Sequence, residues 1–464
     1  MSVEWSTVTV VDPATGEELA AYPEHGPAEI EAALAAADAA FRAWRSRPVA
    51  ERAQLLDAVA RVLRERADNL ARRITAEMGK PLAEARFEVE KCASACAYFA
   101  EAGPAALADE TIDAGPGRSI VTYEPLGVIF AVMPWNFPLW QVIRFAGPAI
   151  LAGNTALLKH APNVSGTALA LEDVFRAAGA PAGVLTSLIV APPNVPRVSA
   201  DLIADPRVAA VTLTGSDRAG AFVAAEAGRA LKKSVLELGG SDPFVVLADA
   251  DLDVAVHNAV KGRLMCAGQT CIAPKRFLVD ATIVREFECR MVDALEMVRV
   301  GDPREEGTQL GPLARLDILE TLERQVAETV EQGAVLRTGG RRLDRPGYYF
   351  PPTVLTGVRP GMTAFTDETF GPVVAITPFA DEDEAVALAN DTRYGLGATV
   401  WSTDTERAHA VARRIESGAV SVNTLVASDP RLPFGGIKRS GYGRELAAVG
   451  AREFTNIRTY KLAD

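Results

Sequence analysis

From about residue 126 onward the chain alternates apolar runs of strand length with helical segments, and this alternation restricts the fold more than any other feature. "GVIFAVMPW" and "TALLKHA" precede the helical "SGTALALEDVFRAAG"; "GVLTSLIV" and "VAAVTLTG" precede the helical "DRAGAFVAAEAGRAL", and "KSVLEL" closes the series. Short, fully apolar runs joined by helices mark a parallel sheet built from βαβ units, because such strands are buried on both faces. A second series starts at "PFVVLADA", passes through "DLDVAVHNAVKGRLM" and continues in "RFLVD". The chain therefore reads as two α/β domains in tandem, joined near "ELGGSDP". Ahead of them, residues 27–105 repeat apolar positions at three- and four-residue steps, as in "IEAALAAADAAFRAW", which predicts an Ala-rich helical scaffold.

At 464 residues the chain is too long for one small core. A formal net charge of -12 argues against nucleic acid or an anionic membrane as partner, since the average surface field repels a polyanion. No run approaches the ~20 apolar residues of a membrane span. The acidic start "MSVEWSTVTVVDPATGEEL" lacks the basic and apolar regions of a signal peptide, so a cytoplasmic protein is expected. Five cysteines (Cys92, Cys96, Cys266, Cys271, Cys289) are too few and too irregular for a disulfide framework. Cys92 and Cys96, one helical turn apart, read as buried small apolar groups, and no metal site is expected.

Four short strings carry the chemistry. In "LTGSDRAG" a glycine and a serine stand between an apolar strand and a helix, where Gly215 lets the backbone approach a ligand and Ser216 can offer a phosphate its hydroxyl and N–H. A plain helix cap is the alternative. Lys159 in "TALLKHAPN" ends another strand of the same series, at the edge where open α/β sheets bind ligands; a solvated lysine is the alternative there. "PWNFP" fixes Asn136 between prolines, so that its amide can donate to a developing oxyanion, or else simply makes a turn. "ELGG" puts Glu237 at a strand end before two glycines, a placement that suits a general base as well as a cap. "GQTC" leaves Cys271 in an uncrowded loop, where a thiolate is a good nucleophile.

The order and spacing of these strings resemble the aldehyde dehydrogenase superfamily, with Cys271 standing 34 positions after Glu237. The likeness extends through "DETFGPV", "NDTRYGLGATVW", "GAVSVNT" and "PFGGIKRSGYGRE", and so covers essentially the whole chain. The resemblance implies that Cys271 attacks an aldehyde, that Asn136 and the Cys271 N–H hold the oxyanion, and that Glu237 activates water to hydrolyse the thioester. It implies a cofactor site made by Trp135, Lys159, Pro162, Gly215, Ser216, Glu368 and Phe370. Members that prefer NAD often carry a glutamate three residues after the strand lysine, where it bonds ribose hydroxyls and repels a 2′-phosphate; Pro162 stands there in this chain. NADP is therefore expected, with NAD left open and His160 a candidate phosphate contact.

Arg144, in "PWNFPLWQVIRFAGP", matches an arginine with which succinate-semialdehyde dehydrogenases grip the far carboxylate of the substrate. A structural salt bridge is its other reading. Arg263 and Ser428 are the further candidates, although other members place an arginine six residues before the cysteine, where Met265 stands. The implied reaction is NAD(P)-dependent oxidation of succinate semialdehyde, the alternatives being glutarate semialdehyde, an aliphatic or aromatic aldehyde, or a cysteine esterase. The implied architecture is a Rossmann-type cofactor domain (1–108 and 126–240), an α/β catalytic domain (241–435) and a β oligomerisation arm (109–125 and 436–464). The arm strands are expected to pair with another subunit of a homodimer or homotetramer, covering edges that otherwise invite aggregation.

Overall fold

The computed structural model describes residues 6–463; residues 1–5, at the head of the acidic start, and residue 464 lie outside the described residues. A hairpin of β1 (Thr7–Val11) and β2 (Glu18–Pro23) leads into four helices: α1 (Pro27–Trp44), α2 (Val49–Glu65), α3 (Ala67–Met78) and α4 (Leu82–Ala106). These occupy the region where the apolar spacing predicts helix. Gly79, at φ 75°, ends α3 in the left-handed conformation that frees glycine of steric cost.

After β3 (Glu110–Ile112) and β4 (Arg118–Pro125), the alternating series runs β5 (Val128–Met133), α5 (Trp140–Ala152), β6 (Thr155–His160), α6 (Ser165–Ala177) and β7 (Leu185–Leu188). It continues through α7 (Val195–Ala204), β8 (Val208–Thr214), α8 (Asp217–Arg229) and β9 (Lys233–Glu237). β5 to β9 form a parallel sheet in the order β9-β8-β5-β6-β7. The chain moves from β5 outward through β6 and β7, then returns to lay β8 and β9 on the other side of β5. This reversal opens a crevice beyond the carboxyl ends of β5 and β8, where doubly wound sheets take ligands.

The period of two decides what covers each face of this sheet. Ile129 and Ala131 pack among α2–α5 side chains such as Leu56, Phe99 and Ile143. Val128 and Phe130 face the other way, toward Leu34, Val198 and Val223. Each large apolar side chain buried in this way contributes about 1.5–3 kcal/mol by leaving water.

A second sheet begins at once with β10 (Asp242–Val246), α9 (Leu252–Leu264), β11 (Pro274–Asp280), α10 (Val284–Glu296) and α11 (Leu316–Glu331). β12 (Val335–Thr338), β13 (Thr353–Thr356), β14 (Val373–Phe379), β15 (Gly397–Trp401) and β16 (Ala419–Val422) complete seven strands in the order β12-β13-β14-β11-β10-β15-β16. Only β12 runs antiparallel to its neighbour. The α/β class expected from the alternation is the class observed.

At the C-terminal end, β17 (Gly441–Tyr442) pairs antiparallel with β9 and so joins the first sheet, although it lies in the segment expected to belong to the arm. β18 (Thr455–Leu462) pairs with β4 from Thr455↔Pro125 to Leu462↔Arg118, and β3 fills the other edge of β4. Pairing of the arm with another subunit would therefore use an outer edge of this three-stranded sheet. The chain satisfies both edges of β4 itself, and the outer edges of β18 and β3 are what remains open. Among the described residues no helix is long and apolar enough to cross a membrane.

Candidate active site

Two cavities meet at Cys271. The first, of about 440 Å³, lies beyond the carboxyl ends of β5 and β8; Trp135, Asn136, Gly215, Ser216, Cys271, Glu368 and Phe370 line it. The second, of about 410 Å³, is walled by Phe137, Trp140, Arg144, Cys271, Phe434 and Ser428, with Lys91 reaching in from α4. One thiol thus borders a crevice of mixed lining at the sheet edge on one side and a more apolar pocket on the other.

The loop that presents the thiol is bent unusually tightly. After α9 the backbone passes through Cys266 (φ 54°), Ala267 (φ 53°) and Gly268 (φ 75°), three successive left-handed residues. For the two that carry a Cβ, this costs roughly 1–2 kcal/mol each. At Gly268 a Cβ would lie 2.4 Å from the Gly371 carbonyl, so glycine is required there on space as well as on φ.

Buried polar groups hold the bend from behind. Cys266 N–H donates to Glu84 Oε2 at 2.8 Å, and Lys275 Nζ donates to the carbonyls of Thr270 (3.0 Å) and Cys271 (2.8 Å) and pairs with Glu368 at 3.3 Å. Below "PWNFP", the fully buried Lys80 pairs with Glu88 and donates to Asn136 O at 2.8 Å. Glu88 in turn accepts the Leu139 and Trp140 N–H groups where α5 begins. Asn136 Nδ2 donates to Gln269 O at 2.9 Å, which ties the amide directly to the thiol loop.

Burial pushes the Cys271 thiol up to about 11, against the pull of Arg144 and Lys275. The isolated site therefore holds a neutral thiol at neutral pH, which must lose its proton to act as a nucleophile. Glu237 is 2% exposed; its two oxygens are buried without a hydrogen-bond partner among the described residues, and it lines neither cavity. Burial, against the nearby charge of Arg144, holds its pKa well above the usual carboxylate range, and Glu445 pushes in the same direction. Burial opposes the charge on Arg144, but Glu445, then Glu237 and Cys271, more than offset that.

Most of the sequence candidates converge. Lys159, the last but one residue of β6, lines neither cavity; it is buried and without a hydrogen-bond acceptor among the described residues, its pKa pulled down to about 8 by burial and the Arg315 charge. Pro162 opens a short 3-10 turn just beyond it. Others need correction. Arg263 lines neither cavity; it is fully buried and donates to the carbonyls of Pro274 (3.0 Å), Thr369 (2.7 Å) and Gly371, so its fork braces the loop away from both cavities. His160 cannot serve as a phosphate contact: Nε2 meets Pro138 O at 2.8 Å, Nδ1 accepts from Ala161 N–H, and burial lowers its pKa to about 4, leaving it neutral. Arg144 lines the second cavity and also forms a buried ion pair with Glu445.

The sequence reading missed Lys91, Lys275, Arg218, Arg315 and Glu445. Arg218 and Arg315 line the first cavity, and Arg218 has no ion-pair partner among the described residues. On a helix or next to a loop, such charges look like ordinary solvated side chains, and no local signal separates them.

The crevice, the shared thiol and the second pocket define an enzyme class, and the family profile agrees: this chain belongs to the aldehyde dehydrogenase family, whose profile matches residues 2–460. It is 50% identical over 449 residues, 97% of this chain and 96% of the relative, to a succinate semialdehyde dehydrogenase [NAD(P)+] of Escherichia coli (strain K12). It is 47% identical over 456 residues, 98% of this chain and 100% of the relative, to a probable succinate-semialdehyde dehydrogenase [NADP(+)] of Synechocystis. Among solved structures, a succinic semialdehyde dehydrogenase of Streptococcus pyogenes in complex with NADP+ superposes with a TM-score of 0.95 at 37% identity, over 98% of this chain and 100% of that one.

Proposed function

We propose that this chain oxidises succinate semialdehyde to succinate with NADP, and with NAD as a second cofactor. The observation that carries the reading is the position of Cys271 as the shared wall of two cavities, one at the ligand edge of a parallel sheet and the other bearing cations on an apolar lining.

The residues of the first cavity fit a dinucleotide. Ser216 caps α8 and offers its hydroxyl at the positive helix end, Arg218 adds a guanidinium without an ion-pair partner among the described residues, and Lys159, outside the cavity lining near the end of the neighbouring strand β6, has an ammonium with no acceptor among them. These groups favour an anionic ligand, and the absence of a carboxylate at Pro162 removes what would repel a 2′-phosphate. Trp135 and Phe370, edge to face at 5.8 Å, wall the end nearest the thiol. When bound, the nicotinamide supplies the hydride acceptor.

Cys271 Sγ loses its proton and attacks the aldehyde carbon. Asn136 Nδ2, turned from the Gln269 carbonyl, and the Cys271 N–H hold the resulting oxyanion. Water then cleaves the acyl thioester on Cys271, and Glu237 takes the water proton. For that step the Glu237 carboxyl must swing from its buried position into a cavity and be ionised, which its orphaned oxygens and raised pKa make a distinct, gated event.

The division into a cofactor domain (1–108, 126–240), a catalytic domain (241–435) and an arm (109–125, 436–464) is part of the same proposal. So is a homodimer or homotetramer, supported by the open outer edge of β18 with exposed Ile457 and Leu462. A cytoplasmic location fits five cysteines that are all free thiols. The test is formation of reduced nicotinamide from succinate semialdehyde with NADP and NAD in parallel, by wild type and Cys271→Ala. Turnover that survives loss of the thiol would remove the mechanism; a preference for uncharged aldehydes would remove the substrate.

A further inference from the structure

The second cavity holds two cations that differ in their internal partners. Arg144 is 2% exposed, pairs with Glu445 and donates to Thr214 Oγ1 at 3.3 Å, so its charge is balanced within the protein. Lys91, on α4, forms no ion pair among the described residues. Its Nζ donates to Ser428 Oγ at 2.7 Å and stands 4.3 Å from the centroid of the Trp140 ring. The carboxylates around it are engaged elsewhere: Glu88 with Lys80, Glu90 with Arg64 and Asp429 with Arg431.

An ammonium on an apolar wall, with one neutral acceptor and spare N–H donors, is an incomplete site. It lacks an anion. Burial lowers its pKa to about 8, which leaves it mostly charged at neutral pH, and an arriving carboxylate would raise it again. Ser428, held by Lys91, lines the same pocket and can donate its hydroxyl to the same oxygen.

We propose that Lys91 is the specificity residue of this pocket: its ammonium, with the Ser428 hydroxyl that it positions, grips the far carboxylate of the substrate and selects aldehyde acids over uncharged aldehydes. This rests on the reading that the substrate is a semialdehyde, and it adds a lysine on the helical scaffold to Arg144, the carboxylate contact that the resemblance implies.

The test compares succinate semialdehyde with butanal, an uncharged aldehyde of the same chain length, in wild type, Lys91→Met and Lys91→Arg at saturating NADP. Methionine keeps the unbranched stem and the helix while removing the charge. The ratio of kcat/KM for the semialdehyde over butanal should fall roughly 10- to 100-fold in Lys91→Met, as expected for a lost charged hydrogen bond. The fall should lie in KM, and Lys91→Arg should recover most of it. Calorimetric binding of succinate to the same variants should weaken in parallel, independently of turnover. A wild type that prefers the semialdehyde and a Lys91→Met that keeps that ratio, or loses both activities equally, would overturn the proposal alone. A wild type with no preference for the semialdehyde would overturn the substrate reading and the proposal with it.

Discussion

Arg144 on α5 and Glu445 near the C-terminal end form a buried ion pair beside Cys271, both side chains 2% exposed. A third charged group, Glu237, shares this environment, so two acids compete for one guanidinium. Burial raises the pKa of both acids, against the charge of Arg144, and their charges raise that of Arg144 in turn. The pair couples the thiol, the candidate base and the β17 region.

Removing Glu445 leaves the buried guanidinium without its ion-pair partner. Glu445→Ala should lose about 3–5 kcal/mol of stability, read as a lower denaturant midpoint at constant slope. A loss below about 1 kcal/mol would mean that water reaches Arg144.

The thiol, pushed up to about 11, should react with iodoacetamide at a rate that keeps rising with pH well past the ordinary thiol range, with no plateau near neutrality. Each pH unit below the pKa leaves about tenfold less thiolate. Arg144→Ala should slow the reaction further at any fixed pH, because Arg144 is the largest charge pulling that pKa down. Mass spectrometry of the Cys271 peptide separates its labelling from that of the exposed Cys289.

Asp242, 3% exposed, has its pKa raised from 3.8 to about 6 by burial, despite the nearby Lys275 charge. The folded state therefore holds this proton more tightly than the unfolded state, and the stability penalty grows as pH rises from about 4 to about 6. Asp242→Asn should stabilise the protein by up to about 3 kcal/mol at neutral pH, with the gain vanishing below the lower limit of that window. Urea midpoints across the window decide it, and a pH-independent difference contradicts it.

Gly268→Ala places a Cβ 2.4 Å from the Gly371 carbonyl, on backbone atoms that cannot turn aside. The variant should lose more than about 2 kcal/mol, and its kcat should fall further than its affinity for cofactor, since the thiol loop moves before the sheet edge does. Cofactor binding by fluorescence quenching, set beside kcat, checks the order of the two effects.

Pro162 stands at the first position of a 3-10 turn, where glutamate is sterically allowed. Pro162→Glu should raise KM for NADP by about tenfold or more relative to NAD, through repulsion of the 2′-phosphate. Equal changes for both cofactors would remove Pro162 from the account of cofactor choice.

The parallel sheet, the four N-terminal helices, the turn at Gly215 and Ser216 and the loop at Cys271 are all legible in the sequence. Each depends on side-chain period or turn chemistry within a few residues, and the backbone responds to these locally. The convergence of Trp135, Asn136, Glu368 and Phe370 around Cys271 was foreseen through the resemblance to a family. Tertiary structure alone decided which charges are satisfied. Lys91 and Ser428 are 337 positions apart, Arg263 turned inward to three carbonyls, His160 was neutralised, and Glu237 was buried away from both cavities. The state of an ionisable group depends on its desolvation and on the nearest opposite charge, and in these cases both come from segments distant in the chain.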